Sequence, residues 1–335
     1  MNGSSRAGAE RYRFGHTELP EKPAKALRRA IRLEWIDLVI RVVTVVAMIL
    51  VAGNSQAMKA AWIEDALSFL PPIAFLIAVR IARRRPTEAH PYGFHRSVGV
   101  AHLVAATTLL GMGGYLLIDS ALGLLTAEHP PIGLIEIFGT TVWLGWLMIP
   151  TVLLTAIPPM ILGRMKLKLA PVLHNKVLYA DADMNKADWM TALTTAVGVF
   201  GIGIGLWWAD SAAAILISFS IISDGWKNLR SAVADLMDRR ATTFDAKEPH
   251  PLIDEVDELL TGIDWVEDAE CRIRDEGHVF HIEAFVVPRN GRMPTLDQLA
   301  EAREACVDLD WKVQDMVIVP VEKLPEEFLP QLRSA

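Results

Sequence analysis

Six apolar segments, each long enough to cross a bilayer, fill most of the first 240 residues: Trp35–Gly53, Ala60–Ala82, Val98–Leu125, Ile132–Leu162, Val177–Trp207 and Ala209–Trp226. The fourth carries Pro150, Pro158 and Pro159, which predicts a kink or an early end. A lipid-embedded helix tolerates such breaks where neighbours re-satisfy the freed carbonyls. After Arg240 the pattern changes. Leu252–Leu260 repeats apolar residues at helical spacing, and Ala269–Arg274 and Val279–Val287 read as strands joined at Glu276-Gly277. Leu296–Cys306 returns to helix, and Val313–Val321 is a last strand. The expected fold is an α-helical membrane protein: six transmembrane helices, then a small α+β domain of α-β-β-α-β, ferredoxin-like order. The corresponding divisions are a tail at 1–32, a membrane domain at 33–240, a C-terminal domain at 241–323 and a tail at 324–335.

Charge fixes the expected orientation. Arg28, Arg29 and Arg32 precede the first span, and Arg80, Arg83, Arg84, Arg85 and Arg96 lie between the second and third. Arg164, Lys166, Lys168 and Lys176 lie between the fourth and fifth; Lys227, Arg230, Arg239 and Arg240 follow the sixth. The opposite connections, Asn54–Lys59, Thr126–Pro131 and a tight turn near Trp208, contain a single lysine. The positive-inside rule then places both termini in the cytoplasm.

Composition narrows the function classes. Of 335 residues, 52% are hydrophobic and 22% charged, which fits a membrane domain joined to a soluble one. A net charge of -7 and the lack of a basic stripe with interleaved aromatics argue against a nucleic-acid partner. Cys271 and Cys306 are the only cysteines, too few for a disulfide framework or a multi-cysteine zinc site. The first thirty residues lack a signal-peptide pattern and read as a polar tail with Pro20 and Pro23.

The stretch Ala180-Asp181-Ala182-Asp183-Met184-Asn185-Lys186-Ala187-Asp188 carries three carboxylates beside Asp188's long apolar continuation, Trp189 to Trp208. A carboxylate at bilayer depth costs roughly 2.5–3.5 kcal/mol on insertion scales, so an ion pathway is the default reading.

Several blocks resemble the cation diffusion facilitator (cation efflux) family of divalent-metal exporters. His90-Pro91-Tyr92-Gly93 is similar to its signature before span three, and Ala180-Asp181-Ala182 with Asn185-Lys186-Ala187-Asp188 to the opening of its fifth span. Gly205-Leu206-Trp207-Trp208-Ala209-Asp210 resembles its fifth-to-sixth turn. Asp224-Gly225-Trp226 through Leu236-Met237-Asp238 resembles its sixth-span exit. The chain reads as a divergent member. The resemblance implies a metal site built from two residues four apart on span two and two more on span five. An i, i+4 pair stacks on one helical face.

Counted without a gap from His90, these positions are Glu64 and Ser68 on span two and Met184 and Asp188 on span five. Asp65 and Asp183 adjoin them, and Asp181 shares a helical face with Asp188. The candidate metal residues are therefore Asp188, Glu64, Asp65, Ser68, Met184, Asp183 and Asp181. Either Glu64 or Asp65 faces the site, since they diverge by about 100° on a helix. Against ligation, Met184 is more often packing in a membrane span and Ser68 more often a satisfied helix hydroxyl, while Asp181 and Asp183 also read as a cytoplasmic entrance that attracts cations. The oxygen-rich set favours magnesium, manganese or iron(II), while affinity alone favours zinc; cobalt stays among the candidates.

Elsewhere the family pattern thins. In the span two–three loop the expected histidine position holds Phe94, with His95 beside it; His102 near span three reads as a proton relay or a packing histidine. C-terminal donors are His250, Cys271, His278, His281 and Glu283, but Glu267 stands where a histidine is expected, and Ile318-Val319-Pro320 lacks the histidine and aspartate expected near the last strand. The resemblance implies a homodimer held mainly by the C-terminal domain and partnered with the lipid bilayer. The expected function is a secondary transporter exporting a divalent cation (zinc, iron, manganese, cobalt or magnesium) in exchange for protons, without a cofactor. Carboxylates withdrawn from water can hold protons or metal, which makes such exchange chemically possible. Loss of conventional ligands leaves a second reading open, a transport-impaired relative acting as a metal sensor or partner subunit. A membrane enzyme is disfavoured, since no activated serine or cysteine motif lies at bilayer depth.

Overall fold

A computed structural model describes residues 19–52, 67–127, 134–137, 140–143, 145–277 and 279–326. It is mostly helical, with helices α1 (Glu21–Ala52), α2 (Leu70–Ala82), α3 (Ser97–Leu125), α4 (Gly145–Leu173), α5 (Lys176–Gly203) and α6 (Ala209–Leu236). A short hairpin, β1 (Leu134–Ile137) with β2 (Thr140–Trp143), precedes α4. The C-terminal part consists of α7 (Leu252–Thr261), β3 (Val266–Asp275), β4 (Phe280–Pro288), a 3-10 turn at Arg289–Gly291, α8 (Leu296–Val307) and β5 (Val313–Pro320). Two compact units result, one of Ala78–Gly99 with the chain from Val233 onward, the other of Lys25–Ile77 with Val100–Ala232.

In the second unit the usual soluble arrangement is inverted. Val39, Val42, Val43 and Val46 on α1, and Leu193, Val197 and Phe200 on α5, are exposed, whereas Glu34, Asp37, Lys166 and Asp181 are buried. Apolar residues outside and charges inside suit a helix bundle surrounded by hydrocarbon. Among the described residues, α3 alone is by itself long and apolar enough to cross a membrane by length and composition.

The fourth apolar segment departs from its sequence reading. Ile132–Leu162 was expected as one span, yet Leu134–Ile137 pairs antiparallel with Thr140–Trp143, and helix begins only at Gly145. Ile135, Ile137, Thr140, Thr141 and Val142 are β-branched, so this apolar stretch suits a strand as well as a helix. The helix then runs past the expected end to Leu173, through Pro150, Pro158, Pro159 and Pro171. Lys166, expected in a basic loop, accordingly lies within α4 and is fully buried. The break to α5 comes at His174, whose φ is 45°, and Asn175 caps the new helix by accepting from the Leu178 amide at 2.9 Å.

Small residues set the close helix contacts. A methyl on Gly225 of α6 would sit 2.7 Å from the backbone nitrogen of Leu110 on α3, and one on Gly113 would meet Ile222 at 2.9–3.0 Å. These backbones approach as glycine permits, the packing mode common between lipid-embedded helices. Gly225→Ala is expected to lower membrane abundance severalfold, whereas Gly114→Ala, with nothing within 4 Å, should be neutral. Quantitative blotting of both variants tests this; equal abundance would mean α3 and α6 separate freely.

The C-terminal α-β-β-α-β order is present as expected. Its sheet runs β3-β4-β5, with β3 antiparallel to β4 and β4 parallel to β5. The parallel pairing needs a crossover, which α8 supplies. A capping box between Thr295 and Gln298 starts α8. Leu252, Ile253, Val256 and Leu260 of α7 close the core with Ile273, Phe280, Ile282, Ala302 and Met316. Cys271 and Cys306 lie in that core as free thiols. Burial raises the Cys271 pKa strongly and pushes that of Cys306 up to about 12.

Candidate functional site

Three helices of the second unit converge on a buried polar network. Glu34, Asp37 and Arg41 share one face of α1 at i, i+3 and i+7, and Asp181, Asn185 and Asp188 share one face of α5. Gly163 brings α4 close, since a methyl there would lie 3.1 Å from Asn185 Cβ. One turn later on α4 comes Lys166. Its ammonium donates to Glu34 Oε2 at 2.8 Å, to Asp37 Oδ2 at 2.6 Å and to Asp181 Oδ2. Asn185 Nδ2 donates to the Asp181 carbonyl at 3.0 Å and reaches Asp37 Oδ2 at 3.5 Å.

The network continues to Asp188. Arg41 Nε donates to Asp37 Oδ1 at 3.1 Å, and Arg41 Nη2 pairs with Asp188 Oδ2 at 2.8 Å. The other oxygen, Asp188 Oδ1, accepts from Ser68 Oγ at 3.0 Å. Asp188 is thus held by a guanidinium from α1 and a hydroxyl from the segment leading into α2.

The expected metal residues separate into distinct groups. Ser68 and Asp188 come together directly, and Asp181 joins them through Lys166, Asp37 and Arg41 in turn. Glu64 and Asp65 lie outside the described residues. Met184 is fully buried in an apolar cluster with Leu109, Met112, Leu116, Ala187 and Ile221. Asp183 belongs to another set: Asn228 Nδ2 donates to its Oδ2 at 2.9 Å, and Asn228 Oδ1 lies 3.4 Å from His102 Nε2. Nearby, Lys186 donates to Asp224 at 2.8 Å.

Glu34, Asp37, Arg41 and Lys166 had no place in the sequence-derived site. The signal for the first three was their i, i+3, i+7 spacing at the start of an apolar segment. Lys166 gave none, because a lysine flanked by Arg164 and Lys168 reads as part of a solvated loop. Among the described residues, one group of acids, histidines or cysteines brings an oxygen, nitrogen or sulfur from each member within 4.8 Å of the others: Glu34, Asp37 and Asp181.

The loop and C-terminal donors have other surroundings. His95 is buried, with neither ring nitrogen hydrogen-bonded among the described residues, and burial lowers its pKa. His250 Nδ1 accepts from the Leu252 amide at 3.2 Å, and Cys271 Sγ lies 3.6 Å from the Ile253 carbonyl. His278 lies outside the described residues. His281 Nδ1 meets Asp315 Oδ2 at 2.8 Å and its Nε2 meets Glu283 Oε1 at 3.2 Å. The hydrogen bond to Asp315 raises the His281 pKa despite partial desolvation and the nearby Arg274. Its pairing therefore stabilises the fold fully below the unfolded histidine value, about 6.5, and the contribution fades as pH rises through the raised value. The stability gap between wild type and His281→Gln should be widest near about pH 6 and narrow at alkaline pH. Thermal unfolding across pH measures it, and a gap that stays constant would rule out this titration.

Comparison with known proteins bears on the whole helical part. Residues 32–237 match the family described as cation efflux transmembrane domain. The manganese efflux system protein MneS of Bacillus subtilis (strain 168) is 24% identical over 233 residues, 70% of this chain and 74% of its own length. The manganese efflux system protein MneP of the same organism is 23% identical over 234 residues, covering 68% and 72%. Mitochondrial metal transporter 2 of Saccharomyces cerevisiae is 23% identical over 265 residues, covering 72% and 54%.

Proposed function

Because the chain belongs to the cation efflux family, whose members move metal ions across membranes, we propose that it exports a divalent metal cation from the cytoplasm in exchange for protons. The observation that carries this reading is the 3.0 Å contact between Ser68 and the partly buried Asp188. It joins the two segments that would share the ion, around a carboxylate whose negative charge metal and proton both require. Protons and metal then compete for one set of oxygens, and alternating access turns that competition into exchange. Both termini face the cytoplasm in this proposal, and the C-terminal domain holds a homodimer.

Reconstituted protein in liposomes under an imposed pH gradient tests the reading. Manganese is the first ion to try, given the names of two relatives, followed by zinc, iron, cobalt and magnesium. Gradient-dependent movement of at least one is expected, and none for any ion would defeat the proposal. One observation favours the alternative of a transport-impaired sensor or partner subunit: Arg41 already neutralises Asp188. In that case metal binds without gradient-driven movement.

A further inference from the structure

We propose that Glu34, Asp37, Asp181 and Asn185 form a second, buried cation station, taking one divalent cation that prefers hard oxygen ligands. The inference rests on the transport reading and extends the ion's path from Asp188 toward α1.

Charge is the first support. Among the described residues the network gathers four carboxylates, Glu34, Asp37, Asp181 and Asp188, against two cations, Arg41 and Lys166. Four minus two leaves a formal charge of -2, which one divalent ion cancels.

Unused oxygens are the second support. Glu34 Oε1, Asp181 Oδ1 and Asn185 Oδ1 are buried with no hydrogen-bond partner among the described residues, and all three side chains are fully enclosed. Lys166 cannot serve them, because an ammonium has three donors and each is already spent on Glu34 Oε2, Asp37 Oδ2 or Asp181 Oδ2. Buried acceptors are normally satisfied, so three orphans on two facing helices point to an absent guest.

The donor set names that guest. Glu34, Asp37 and Asp181 place oxygens within 4.8 Å of one another and already gather around one cation, the Lys166 ammonium. With Asn185 the ligands are all oxygen, the preference of magnesium and manganese rather than of thiolate- or imidazole-seeking ions. Asp188 pairs with Arg41, whose Nε also holds Asp37, so one guanidinium joins the station to Asp188.

The test uses purified full-length protein and Mn²⁺ alone, with binding read from loss of the free-ion EPR signal. Glu34→Gln, Asp181→Asn and Asn185→Leu should each weaken Mn²⁺ binding roughly tenfold or more. Thermal unfolding selects the variants that stay folded, and any one of the three suffices. Wild-type affinity in a folded variant of the three would overturn the station. Wild type that binds Mn²⁺ through these residues yet moves none across liposomes would instead overturn the transport reading and keep the station.

Discussion

Asp188→Asn is expected to reduce metal transport to background, while Ser68→Ala retains most of it. Asparagine keeps the size of aspartate and can still accept from Ser68 Oγ, but it carries no charge for metal or proton to neutralise. It also strips Arg41 of its partner at 2.8 Å, leaving that guanidinium with Asp37 alone. Removing one partner of a buried pair costs about 3–5 kcal/mol, so part of any loss will be lost protein. The double variant Arg41→Gln/Asp188→Asn separates the effects, because it removes both charges together. It should recover membrane abundance without recovering transport. Ser68 contributes one neutral oxygen, which water can replace. Vesicle assays at equal protein amounts compare the set, and normal transport by Asp188→Asn would remove Asp188 from the pathway.

Lys166→Met should cause the largest loss of stability of any single substitution in the helical unit. It leaves Glu34, Asp37 and Asp181 facing one another within 4.8 Å without the ammonium that all three share. Breaking a buried ion pair by removing one member costs about 3–5 kcal/mol, and here three acceptors lose the same donor. Lys166→Met/Asp181→Asn should recover part of the loss, since one of the stranded charges disappears with the lysine. Thermal unfolding in detergent measures both. A Lys166→Met protein as stable as wild type would mean that the three carboxylates are held apart or hydrated without Lys166.

The C-terminal domain was legible because its signals are local. Alternating residues in β3 and β4, a turn at Glu276-Gly277 and the Thr295 cap of α8 act within a few residues of one another. The membrane domain was legible as apolar runs but less so in detail. Between Leu134 and Trp143 the residues suit lipid and strand equally, so hydropathy could not separate hairpin from helix. Lys166 was misplaced for a different reason. Its partners Glu34 and Asp37 lie 132 and 129 positions earlier in the chain, and no local pattern marks a lysine neutralised at that range. Ser68 and Asp188 entered the candidate site through family spacing, and their meeting across 120 positions is a property of the fold that periodicity alone does not encode.

The two buried cysteines make this chain its own reporter of orientation. Neither lies among residues 32–237, both sit in the C-terminal core, and thiols whose deprotonation is so disfavoured react poorly with maleimides at neutral pH. The native sequence is therefore chemically silent to a membrane-impermeant thiol label. A single cysteine placed at Thr126 or at Arg85 would be the only group to respond. Labelling of intact cells through Thr126→Cys but not Arg85→Cys would map the two faces of the bilayer without a cysteine-free background, with every native residue of the core left in place.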